Sequence, residues 1–156
     1  MLYSIKFLIF RFRLLKLKLI NNKLQVGKNF KCGRTCTISP KNNIIIGSNF
    51  FMGNNCHLAS DLIIGNNVLV GPYVGFVGGD HKIDEINLPI SQSGRGEFRT
   101  TNIEDNVWIG YGSIVMHGVH IKSGSVIAAG SVVTKDVEDN SIVGGNPAKF
   151  LRFRKQ

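Results

Sequence analysis

From Ile103 onward an aliphatic side chain returns every six residues, at Ile103, Ile109, Val115, Ile121, Ile127 and Val133. Four positions after each stands a small or β-branched residue: Val107, Ser113, Val119, Ser125, Ser131 and Val137. The six-step register also runs upstream, through Val26, Cys32 and Ile38, then Ile46, Met52 and Leu58, then Ile64, Val70 and Phe76. An α-helix cannot use this period, because six residues turn about 600° at helical geometry and the apolar positions drift around the axis. A short strand followed by a tight turn accommodates it. The aliphatic residue and the one four later point inward, while Gly, Asn and Asp between strands supply the turns, Gly especially where φ is positive. Gly follows the aliphatic position directly at Gly27, Gly33, Gly47, Gly53, Gly65 and Gly71. Three hexapeptides make one coil, so residues 18 apart, such as Ile46 and Ile64 or Ile109 and Ile127, stack in parallel ladders. Cys32 falls on the aliphatic register and Cys36 and Cys56 on the small one, which predicts core thiols without chemistry.

The register is lost from Val77 to Asn102, and a long break inside a repeat is where function concentrates. The chain then divides into a basic, apolar segment at residues 1–22, a β-helix domain at 23–143 with its loop at 77–102, and a basic C-terminal tail at 144–156. In the first segment, FRFRLLKLKL alternates bases with apolar residues, and its bases cover more than half of a helical wheel. That predicts an edge strand or cap over the first coil rather than a clean amphipathic helix. The rival reading is a peripheral membrane contact through residues 1–20.

Charge changes this picture little. The net +9 comes from residues 1–60, which hold ten Lys or Arg and no acid. No RNP, helix-turn-helix or zinc-finger spacing accompanies it, so no nucleic-acid partner is expected. Three cysteines without CxxC spacing suggest neither a disulfide framework nor zinc. The run Phe7 to Phe10 is too short for a signal core or a membrane span, so a cytoplasmic protein is expected, with the inner face of the membrane as its peripheral site.

The break reads VGGDHKIDEINLPISQSGRGEFRTTN. His81 suits proton abstraction near neutral pH, and Asp84, three residues on, is a carboxylate that could fix its tautomer. With the repeat on either side, the chain resembles the hexapeptide-repeat acetyltransferases, among them the maltose, galactoside and xenobiotic acetyltransferases, over about residues 24–152. The resemblance implies an all-β, left-handed parallel β-helix of about five coils, assembled as a homotrimer. It implies His81 as general base. It further implies acetyl-CoA as co-substrate, in a groove between two subunits. Trp108 matches the family tryptophan near the thioester, Gly112, Ala129 and Gly130 the backbone beside the pantetheine arm, and Lys135, Pro147, Lys149 and Arg152 the positions flanking adenine and phosphates. Basic side chains there would answer the charge of CoA. The implied reaction is direct acetyl transfer to a hydroxyl of a sugar or polysaccharide precursor, and no G-x-S-x-G nucleophile elbow appears.

Three rivals remain. An N-acetyltransferase on an amino sugar keeps the co-substrate and changes the acceptor. A metal hydratase resembling the γ-class carbonic anhydrases would need His81, His117 and His120, yet that family spaces its later pair five apart and these are three apart, so no metal is expected. A β-helix scaffold of the ice-binding kind would carry outward Thr-x-Thr rows, which this sequence lacks.

Overall fold

A computed structural model describes residues 2–155, with side chains from Leu8 onward. After an α-helix, α1 (Leu2–Ile20), the chain winds through five three-stranded coils. The first holds β1 (Gln25–Val26), β2 (Lys31–Cys32) and β3 (Thr37–Ile38). The second holds β4 (Ile44–Ile46), β5 (Phe51–Met52) and β6 (His57–Leu58), and the third β7 (Leu62–Ile64), β8 (Leu69–Val70) and β9 (Gly75–Val77). The fourth holds β10 (Thr101–Ile103), β11 (Trp108–Ile109) and β12 (Ile114–Met116). The fifth holds β13 (His120–Ile121), β14 (Val126–Ile127) and β15 (Val132–Val133). A partial sixth coil adds a bridge from Val137 to Ile121 and β16 (Ser141–Gly144), so the solenoid exceeds the five coils read from the sequence. The tail is not loose: β17 (Lys149–Phe153) folds back antiparallel on β16, with a bulge between Ile142 and Val143.

Strands of like position stack into three sheets. β1-β4-β7-β10-β13 form the first, β2-β5-β8-β11-β14-β16 with β17 the second, and β3-β6-β9-β12-β15 the third. Ile46 lies over Ile64 and Ile109 over Ile127, as the period requires. All six aliphatic positions from Ile103 to Val133 are buried, and so are the six residues four places later. Phe76, fully buried, sits in register between Leu58 and Val115 just before the chain leaves the solenoid. Phe76→Ala is expected to cost about 3–5 kcal/mol, since a rigid stack closes poorly over the cavity. Urea unfolding checks this: the midpoint should fall sharply with little change of slope.

The corners depart from expectation. The glycines after the aliphatic positions do not have positive φ. They are needed because the next coil lies on them: a Cβ on Gly71 would stand 2.7 Å from the Tyr111 nitrogen. Left-handed geometry between the first and second sheets comes instead from Asn29, Asn49, Asn67 and Asn106. Asparagine tolerates this region, and its amide repays the cost here. Asn29 Nδ2 donates to Asn49 Oδ1 at 2.9 Å and Asn49 Nδ2 to Asn67 Oδ1 at 3.0 Å.

The N-terminal segment forms a helix, not an edge strand. Leu17 is buried in the core cluster and Leu14 packs against it, closing the open end of the first coil. Arg13 donates to the Cys32 carbonyl at 2.9 Å. Asn21, fully buried, ends the helix and ties it down, its Nδ2 donating to the carbonyls of Ser39 and Asn42. Leu, Lys and Arg are good helix formers, and once the end of the core rewards burial three residues apart, the alternation loses.

Candidate active site

Val77 still pairs with Met116, and Thr101 and Asn102 already pair with Leu62 and Ile63. The interruption is therefore residues 78–100, shorter at both ends than the lost register. It leaves the third sheet and returns to the first, so it occupies the corner between those two sheets. Gly79, at φ +78°, turns the chain outward. The loop then closes on itself: Gly96 N donates to Asp80 O at 2.9 Å, Lys82 N to Gly94 O at 3.2 Å, and His81 bridges Arg95. Arg95 Nη1 fastens the base by donating to the Gly79 carbonyl. His81 is thus set at the foot of a paired segment, not on a free loop tip. Its Nδ1 is buried and has no hydrogen-bond partner among the described residues. A buried polar atom left unpaired is uncommon and marks a place where a partner is expected.

Asp84 is exposed and makes no hydrogen bond to His81 among the described residues. The carboxylate that meets a histidine in this loop is Asp80, 3.8 Å from His117 Nε2. His117 is not the surface bystander its place in the repeat suggests. Its ring stacks on Phe98, 5.9 Å between centroids and 8° from parallel, which pins the loop to the end of β12. His120 faces elsewhere: its Nε2 lies 2.7 Å from Glu104, whose other oxygen takes the Ser123 hydroxyl at 2.7 Å. Those bonds, Ser123 first and then His120, hold the Glu104 carboxyl below its usual range. His57 Nδ1 lies 2.7 Å from the Thr37 hydroxyl. Among the described residues the histidines are not gathered into a three-ligand cluster.

The residues matched to the cofactor fall in three places. Gly112 and Gly130 occupy the left-handed position of the corner between the second and third sheets, where earlier coils carry Thr35, Asn55 and Tyr73. Asparagine would satisfy that backbone, as it does elsewhere. Instead both positions lack a side chain, and a Cβ on either would meet nothing within 4 Å. The surface there lies open to close approach along two successive coils. The Gly112 and Gly130 amides are engaged, donating to Pro72 O at 2.9 Å and Tyr111 O at 2.8 Å. The amides of Ala129 and Tyr111 have no partner among the described residues. The amides of Ser113 and Ser131 beside them are also without a partner among the described residues but belong to buried residues, whereas Ala129 and Tyr111 are exposed and offer donors at the surface. Lys135, Pro147 and Lys149 line one cavity of ≈ 360 Å³ at the C-terminal end of the solenoid. Trp108 and Arg152 lie on the outer face of the second sheet, lining a groove of ≈ 490 Å³ with Leu69, Val126 and Ile142.

Tyr73 and Tyr111 escaped the sequence reading. Their rings pair at 5.3 Å on the glycine corner, and both are more than half exposed. The available signal was Tyr73 itself, a bulky residue at φ +61° where neighbouring coils use Asn, Thr or Gly. The three cysteines are not alike. All are free, and burial pushes the Cys32 thiol up to about 12. Cys36, half-buried rather than core, is lowered to about 7 by a hydrogen bond from Cys56.

A three-sided parallel solenoid with one interrupted coil and a bare glycine corner is the form of the hexapeptide transferases. Residues 100–135 match the family model for bacterial transferase hexapeptides (six repeats). The chain is 32% identical to a maltose O-acetyltransferase from Clostridium difficile, covering 96% of this chain and 88% of that one at a TM-score of 0.78. It belongs to the hexapeptide-repeat family. It is also 31% identical to a hexapeptide-repeat acetyltransferase of Vibrio cholerae solved with acetyl coenzyme A, covering 88% and 75% of the two chains at a TM-score of 0.79. A galactoside O-acetyltransferase of Lactococcus lactis is 36% identical over 133 residues, 77% of this chain and 61% of its own. The chain spans 53% to 62% of the length of four curated acetyltransferase relatives, the Lactococcus lactis enzyme among them.

Proposed function

We propose that the protein is an acetyl-CoA-dependent O-acetyltransferase acting on a hydroxyl of a sugar or glycan precursor, in the cytoplasm, as a homotrimer. The observation that carries this is the bare corner at Gly112 and Gly130, with the Ala129 and Tyr111 amides beside it and, at its C-terminal end, a cavity that presents Lys135 and Lys149, whose acidic neighbours Asp136 and Glu138 are engaged by the His120 amide and by Lys122. A long, thin, multiply anionic ligand fits that run. Lys135 and Lys149 would meet its phosphates, and the corner its amide-bearing arm. Its reactive end then points toward the fourth coil, where Trp108 and Tyr111 stand. A vibrio relative solved with acetyl coenzyme A supports the choice of ligand.

Bound acetyl-CoA supplies an activated thioester carbonyl. His81 takes the proton of the acceptor hydroxyl as that oxygen bonds to the carbonyl carbon, and the proton passes to the departing thiolate. A peptide amide donates to the carbonyl oxygen as charge develops on it, and no enzyme nucleophile is required. In the single chain the loop stands at one edge of the third sheet and the glycine corner at the other, so the proposed site is completed by a neighbouring subunit.

The test is release of free CoA over hydroxyl and amino sugars, free and nucleotide-linked. Turnover with hydroxyl acceptors is expected. Turnover confined to amino sugars would move the activity to nitrogen, and failure to bind acetyl-CoA would overturn the reading altogether.

A further inference from the structure

We infer that α1 lays its outer face on an anionic lipid surface while its inner face caps the solenoid. The helix has two apolar rows on opposite sides. Leu14 and Leu17 face the core. Leu8, Phe12, Leu15 and Leu19, spaced four, three and four apart, form the other row, and they are 67%, 71%, 55% and 79% exposed. That spacing puts all four on one side of the helix, opposite Leu14 and Leu17, and the described residues leave them largely uncovered.

Charge selects the occupant. Lys18 borders the outer row on one side and Lys16 on the other, both exposed, with Arg11 next to Lys18 on the wheel. Arg13 is committed inward, to the Cys32 carbonyl and the Phe10 ring. No acid occurs in the sequence before Asp61, so nothing near this row in sequence offsets the cations. An apolar row edged by lysines, with phenylalanine and leucine at its centre, suits a helix lying in the plane of an anionic interface. A second copy of the chain fits worse, because pairing the row with its own image would bring Lys16 and Lys18 against like charges. Crossing the bilayer is not at issue, since no described helix is long and apolar enough to do so. Cap and membrane contact are therefore two faces of one helix, not alternatives. Deleting residues 1–20 would remove both and could not tell them apart.

Substitutions confined to the outer row separate them. The full chain is sedimented with phosphatidylcholine vesicles, with and without phosphatidylglycerol, at low and high salt. Wild type should bind the anionic vesicles, and salt should weaken the binding. Phe12→Gln with Leu15→Gln should weaken it roughly ten- to a hundredfold, the loss of two buried apolar side chains, with melting temperature and vesicle-free turnover unchanged. Lys16→Glu with Lys18→Glu should abolish the preference for phosphatidylglycerol. The inference is overturned if wild type ignores anionic vesicles, or if the Phe12/Leu15 variant binds them as well as wild type does. It is equally overturned if that variant instead dissociates an oligomer, since a second copy would then be the occupant.

Discussion

His81→Ala is expected to lower turnover by roughly 10² to 10⁴, the usual span for loss of a general base, while the affinity for acetyl-CoA stays within a fewfold of wild type. The separation follows from the fold. His81 stands at the corner between the third and first sheets, and the bare glycines stand at the corner between the second and third. Changing the loop leaves that groove intact. Stability should hold too, because the buried Nδ1 has no partner among the described residues, and an unpaired buried polar atom costs about 1–3 kcal/mol. Asp84→Asn should cost much less than His81→Ala, within about tenfold, since Asp84 makes no bond that orients the imidazole. Steady-state kinetics with a separate acetyl-CoA titration checks both variants, and thermal melting checks the stability of His81→Ala. Near-normal turnover in a folded His81→Ala protein would remove histidine from the role of base.

The solenoid was legible because each hexapeptide sends one aliphatic and one small residue inward through purely local geometry, and identical local choices repeat in register. Ile103 to Val137 read correctly for that reason. The corners were misread in detail, since spacing cannot say whether a glycine serves φ or clearance. Gly71 serves clearance, and Asn67 serves φ. The helix was misread because its two opposite apolar rows, with bases between them, reproduce the alternation of a strand. In FRFRLLKLKL, Leu17 and Leu19 are neighbours in that alternation, yet one is buried and the other is the most exposed of its row. The break in the repeat singles out His81 as a candidate without any knowledge of the loop's path. The Asp80–His117 contact and the Phe98 stack could not, because they depend on the path of a loop that obeys no period. Ala129 stood out by its resemblance to the family backbone, whereas Tyr111 has no signal in the repeat and is marked only by its exposed ring and an amide without a partner among the described residues.

Two individually inactive chains are expected to restore activity when assembled together. His81→Ala lacks the base but keeps the groove, and Ala129→Trp keeps the base but fills the open corner, at an exposed position whose backbone is not left-handed. The third sheet separates the two features in one chain, its β9 and β12 being three residues each, or about 10 Å of strand. Among the described residues the loop's ring stack and ion pair both engage His117, on its own side of that sheet. A site built from both features therefore joins the loop corner of one subunit to the glycine corner of the next. In the proposed homotrimer such a head-to-tail contact closes into a ring of three, for which exposed Phe51, Leu69 and Trp108 along the second sheet offer apolar surface. In trimers co-expressed from equal amounts of the two chains, a site needs its loop from the Ala129→Trp chain and its corner from the His81→Ala chain. Random assembly meets both conditions in about a quarter of sites. Turnover should rise from near zero in either variant alone to about that fraction of wild type, and sedimentation should give a trimer throughout. A mixed trimer as inactive as its parents would mean that each chain builds its site alone, and a fully active monomer would dispose of the shared site and the ring together.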